Sequence, residues 1–108
     1  MIDSYNIIDV DENSLNHYRL SIPTASLSVL QRYDPVVFTK DTIIAKLRVF
    51  GAGNGWGEVD VLNAANNPVF AVAFERDTTI TDTLRTVQPK RVFIFFDRYS
   101  GSFEFQMD

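Results

Sequence analysis

From Thr42 to Glu75 apolar side chains recur at every second position, and this constrains the fold more than any other feature of the chain. A strand sends successive side chains to opposite faces, so alternation of this kind needs a sheet with one face on a core. A helix would place its apolar residues at a period of 3.6, whereas the dominant period here is two. Three strands are predicted, over Thr42–Phe50, Trp56–Asn63 and Pro68–Glu75. The connections between them, Gly51-Ala52-Gly53-Asn54-Gly55 and Ala64-Ala65-Asn66-Asn67, carry the residues that turns prefer. Read as a meander, the first pair sets Phe50 opposite Trp56, Arg48 opposite Glu58, Lys46 opposite Asp60 and Ile44 opposite Leu62. The other face then matches Leu47 with Val59 and Ala45 with Val61. In the second pair Val61 meets Phe70, Val59 meets Val72, and Gly57 leaves room for Phe74. Favourable cross-strand pairs of this kind contribute about 0.2–1 kcal/mol each.

A second hairpin is predicted at the C-terminal end, with Arg91–Asp97 and Ser102–Met107 flanking the turn Arg98-Tyr99-Ser100-Gly101. Its expected pairs are Phe96 with Phe103, Ile94 with Phe105 and Val92 with Met107. Phe93 and Phe95 make its first strand apolar on both sides, which suits a strand covered twice or a face that awaits a partner. Nearer the N-terminus, strands are expected over residues 5–10 and 15–22 around a turn at Asp11-Glu12-Asn13. Residues 25–32 read as a strand or as one short helix capped by Thr24. A short strand is expected over 35–39, and the Thr-rich run 78–84 reads as a sheet edge. Pro23, Pro35, Pro68 and Pro89 fall at strand starts or in loops, where a missing N–H costs little. The fold class expected is therefore all-β, a single-domain antiparallel β-sandwich or flattened barrel of about eight strands over residues 1–108.

Composition narrows the function classes. Nine Phe, four Tyr and one Trp suit half-buried pleated surfaces. The absence of cysteine removes a disulfide framework, a thiolate metal site and a cysteine nucleophile, and it fits a reducing, cytoplasmic setting. No segment has the roughly 18 consecutive apolar residues of a membrane-spanning helix, and no membrane role is expected. The net charge of −4 lies entirely in the first dozen residues, where Asp3, Asp9, Asp11 and Glu12 precede the first basic residue, Arg19. Nucleic acid is a poor partner for such a chain, because phosphate binding needs a basic face. A basic protein is a better one.

The candidate chemical motifs fail on inspection. Gly51-x-Gly53-x-Gly55-x-Gly57 resembles a phosphate loop, but a strand with acids follows it instead of a helix with a lysine. Asp9-x-Asp11-x-Asn13 opens like a calcium loop, then places Ser14 at the sixth position and Leu20 at the twelfth. His17 is the only histidine, and no nucleophile motif accompanies it. Neither catalytic residues, nor a metal, nor a cofactor are expected.

The function expected is a non-enzymatic protein-binding module, an acidic cytoplasmic immunity protein or antitoxin-type inhibitor that occludes a basic toxin such as a nuclease. Asp9, Asp11 and Glu12 would supply its charge, and Phe93, Phe95 and Tyr99 its apolar contact area. The first alternative is a lectin-like carbohydrate-binding sandwich, with Asn54 offering amide hydrogen bonds and Trp56 a flat face for a sugar. The further alternative is a structural subunit of a coat, tail or filament.

Overall fold

Alternating burial runs through most of the chain and builds nine strands among the residues that the computed structural model describes, 12–26 and 29–108. They are β1 (Glu12–Ser14), β2 (His17–Ser26), β3 (Val29–Pro35), β4 (Thr42–Phe50), β5 (Trp56–Leu62), β6 (Pro68–Phe74), β7 (Thr78–Arg85), β8 (Arg91–Asp97) and β9 (Ser100–Met107). The described residues include no helix, and so none long and apolar enough to cross a membrane. The strand expected over 5–10 lies outside the described residues.

The strands form two antiparallel sheets. Sheet A has the order β1-β2-β9-β4-β7 and sheet B the order β3-β8-β5-β6. Without β1, this is the eight-stranded jelly roll, in which strands consecutive in the chain mostly pass from one sheet to the other. The core lies between the sheets. Phe103, Phe105 and Met107 enter it from β9, and Val92, Ile94 and Phe96 from β8, each 0–1% exposed. Rings interlock across the layer: Phe70 stacks on Phe105 at 5.7 Å, Phe74 on Phe103 at 5.6 Å, and Phe96 meets Phe103 edge-on at 5.2 Å. One buried polar contact also bridges the sheets. The Tyr18 hydroxyl of β2 donates to Asp34 of β3 at 2.6 Å, and Arg32 holds the other Asp34 oxygen at 2.8 Å. A buried carboxylate satisfied on both oxygens can stay inside without an orphaned charge.

The β5–β6 hairpin has the predicted register, with Gly57 opposite Phe74, Val59 opposite Val72 and Val61 opposite Phe70. Two predicted hairpins do not form. β4 pairs with β7 and β9 rather than with β5, and β8 pairs with β3 and β5 rather than with β9. Arg48 therefore does not face Glu58, nor Lys46 Asp60. The reason is that alternation decides which side chains point inward, but a turn and an arch between sheets both satisfy it. Leu47 and Val59 do share one dry layer, as do Phe96 and Phe103, but they approach it from opposite sheets.

The two arches are stabilised by each other. Gly53 N–H donates to the Ser100 carbonyl at 3.0 Å, Ser100 N–H to the Asn54 carbonyl at 3.0 Å, and Asn54 N–H to Ser100 Oγ at 2.9 Å. These bonds satisfy backbone groups that a hairpin turn would have paired internally.

Three further expectations need correction. Residues 25–26 and 29–32 are strand, so no short helix occupies 25–32 among the described residues. Pro23 sits where the β2–β9 register shifts, between Ile22 and Ala25, so the interruption there is a bulge. The turn expected at 11–13 lies at Leu15-Asn16, with Asn16 at φ 61° and Glu12–Ser14 already in β1. Asn16 Oδ1 accepts the N–H groups of Thr39 and Lys40, and this docks residues 36–40 as an irregular segment instead of a strand. β7 is the edge of sheet A, as its threonines suggested.

Candidate functional site

β8 lies inside sheet B, flanked by β3 and β5, and it alternates strictly: Val92, Ile94 and Phe96 point into the core. Phe93 and Phe95 must then lie on the outer face, where the second sheet does not cover them. Their register neighbours extend the patch. Phe93 faces Tyr33 of β3, and Asp97 faces Trp56 of β5. The rings form a continuous run, from Tyr33 to Phe93 at 4.8 Å, Phe93 to Phe95 at 6.5 Å, and Phe95 to Trp56 at 5.0 Å. Tyr33 is 54% exposed and Trp56 36%.

Two carboxylates stand beside the rings. Glu58 faces Phe95 and Asp60 faces Phe93 across the β8–β5 ladder, both on the outer side of β5. Asp60 Oδ1 is buried and takes no hydrogen bond among the described residues. Burial pushes the Asp60 carboxyl up from 3.8 to about 7, and the hydrogen bond and negative charge of Glu58 push the same way.

This shift fixes a sign. Folded Asp60 holds its proton at pH values where the unfolded chain has lost it, so folding is favoured at low pH. That contribution is complete below the unfolded value near 4 and is lost as the pH rises through about 7. Asp60→Asn should accordingly be more stable than the parent at pH 8, by about 1 kcal/mol once solvent screening is allowed for, and equal to it near pH 4. Thermal melts of both proteins across that range check this, and a gap that does not narrow on acidification would contradict it.

The other candidate residues scatter. Asp9 and Asp11 lie outside the described residues. Glu12 is exposed on β1 and pairs with His17 Nε2 at 2.9 Å, while His17 Nδ1 meets Asp108. With carboxylates on both ring nitrogens, His17 is not placed to act as a base on a serine. Asp108 is lowered in pKa: burial opposes its ionisation, but hydrogen bonds from Gln106 and His17 and the charges of His17 and Lys40 outweigh it. Tyr99 is a correction. It is fully buried, and its hydroxyl donates to the Ser102 carbonyl at 2.7 Å, so it offers a partner no surface. Burial, then the charge of Asp77, pushes its pKa up to about 12. Asn54 and Trp56 lie on opposite sides of Gly55. Trp56 packs on Phe95 rather than Phe50 and borders a shallow depression with Ala73, Phe74 and Glu75. Phe50 instead carries the Arg48 guanidinium at 4.5 Å.

Sequence reasoning missed Tyr33, whose period-two relation to Val29 and Gln31 was the available signal. It placed Glu58 and Asp60 on the outer face but paired them with Arg48 and Lys46, and so missed their position beside Phe95 and Phe93.

No protein-family model matches the sequence, and no curated protein matches it. Among solved structures the chain is similar to one described by the words "Bacillus endospore appendages form a novel family of disulfide-linked pili". The TM-score is 0.57 at 13% identity, and the likeness covers 84% of this chain and 81% of that one. Such a likeness concerns the fold.

Proposed function

We propose that the protein is a non-enzymatic structural subunit that works by assembling with other protein subunits into a filament or coat. The observation that carries this reading is the aromatic run Tyr33, Phe93, Phe95 and Trp56 on the outer face of sheet B. The core is already closed by other rings, so these four are not needed to fill it. Aromatic side chains concentrated on one solvent-facing sheet are typical of buried interface centres. The fold likeness to a chain described as part of a pilus supports the same reading. That neighbour's description includes disulfide links, whereas the 108 residues here contain no cysteine, so contacts among them would not be disulfides.

A second reading draws on Glu58 and Asp60 beside the rings: an acidic module that occludes a basic protein, as an immunity protein would. One experiment separates the two. Light scattering and negative-stain electron microscopy over a concentration series up to millimolar should show mass growing into extended particles. A monomer at every concentration would overturn the subunit reading and favour the inhibitor.

A further inference from the structure

The sandwich carries a cationic pair and a carboxyl pair of equal spacing on its opposite outer faces. Asp60 keeps its proton up to about pH 7 in the isolated chain, and a facing lysine or arginine favours its ionised form. On β4, Ile43, Ala45, Leu47 and Val49 point into the core, so Lys46 and Arg48 project from the outer face of sheet A, both exposed. On β5, Val59 and Val61 point inward, so Glu58 and Asp60 project from the outer face of sheet B. Both strands lie inside their sheets, flanked on each side. Among the described residues none of the four forms an ion pair with an oppositely charged group. Glu104, which faces Arg48 across the β4–β9 ladder, is bonded to Arg19 at 3.5 Å. Residues two apart on a strand are separated by roughly 6.6 Å in either sheet, so Lys46 and Arg48 can meet Glu58 and Asp60 in two contacts at once. Within one chain they cannot meet, because both sheets stand between them.

We propose that the outer face of sheet A of one copy docks on the outer face of sheet B of the next, with Lys46 and Arg48 against Glu58 and Asp60 and the adjoining aromatic run. This deepens the subunit reading and rests on it. The occupant is a second copy because the chain itself carries the complementary pair at matching spacing. The rings add to the fit, since a lysine or arginine over an aromatic face is attracted by its quadrupole. The two surfaces differ, so the contact is heterologous and leaves a free face at each end. Repetition then gives an open chain of subunits, unless the rotation between them happens to close a ring.

Charge reversal tests it. Lys46→Glu/Arg48→Glu and Glu58→Lys/Asp60→Lys should each raise the concentration needed for assembly at least about tenfold, because each sets like charges face to face. An equimolar mixture of the two should assemble again, as an alternating copolymer, because every contact is then between opposite charges. Far-UV circular dichroism and melting check that both variants fold. If Glu58→Lys/Asp60→Lys does not, Glu58→Gln/Asp60→Asn replaces it and should also weaken assembly. Folded variants that assemble like the parent, or a mixture that stays monomeric, would overturn the docking geometry. In the first case the subunit reading would survive. A parent protein that never assembles would instead remove that reading.

Discussion

Replacing Phe96 by alanine should cost about 3–5 kcal/mol of folding stability, whereas the same change at Phe93 should cost far less. Phe96 is fully buried and sits among Phe74, Tyr99 and Phe103, with ring centroids 5.1–6.2 Å away. Its removal deletes contacts with both sheets and leaves a cavity that the stiff neighbouring rings cannot fill. A domain of this size has only about 5–15 kcal/mol in hand, so the variant should lie close to unfolding at room temperature. Phe93, three residues earlier on the same strand, lies on the outer face, and water can take its place. Urea unfolding of the two variants decides the matter. Equal losses would mean that the inward and outward faces of β8 are wrongly assigned.

Gly55→Ala should be the most damaging change available in a loop. Gly55 has φ +70°, and a Cβ there would lie 2.3 Å from the carbonyl oxygens of both Asp97 and Arg98. These are backbone atoms of the facing arch, so neither can rotate away. We expect a loss of at least about 3 kcal/mol, combining the left-handed backbone cost with overpacking. Gly51→Ala is the control. It has a similar φ of +65° but open space around the added carbon, so it should lose only the conformational cost of about 1–2 kcal/mol. Were loop 51–55 a hairpin tip remote from Arg98, the two substitutions would cost the same.

That contrast shows how much of the fold was legible in the sequence. The inward face of nearly every central strand could be read, since Leu47, Val59, Val72, Phe96 and Phe103 each sit at the correct parity. The extents of β4 and β8 follow from the same alternation. Strand partnership was legible only in the β5–β6 hairpin. There the pairing is local, and Gly57 has to admit Phe74: a Cβ at Gly57 would come within 2.7 Å of that ring. Apart from the short β1–β2 pair, the partners elsewhere are far apart in sequence. β2 pairs with β9 and β4 with β7, and no local signal announces either choice.

The candidate site was half legible for the same reason. Phe93 and Phe95 stood out as apolar residues on the wrong parity for a one-sided strand. Tyr33, Glu58 and Asp60 join them only because β3 and β5 flank β8, a fact of topology. Tyr99 misled because a turn residue is ordinarily exposed, whereas this arch folds its ring inward.

The claim on which everything else depends is that β4 and β5 occupy opposite sheets, so that Lys46 and Asp60 face away from each other. The chain has no native cysteine, and Lys46→Cys/Asp60→Cys can therefore be cross-linked cleanly with a short bis-maleimide reagent. Linked products should run as a ladder of dimers and higher multimers on a denaturing gel. An internally linked monomer would put the two strands side by side in one sheet and contradict both the fold and the docking derived from it.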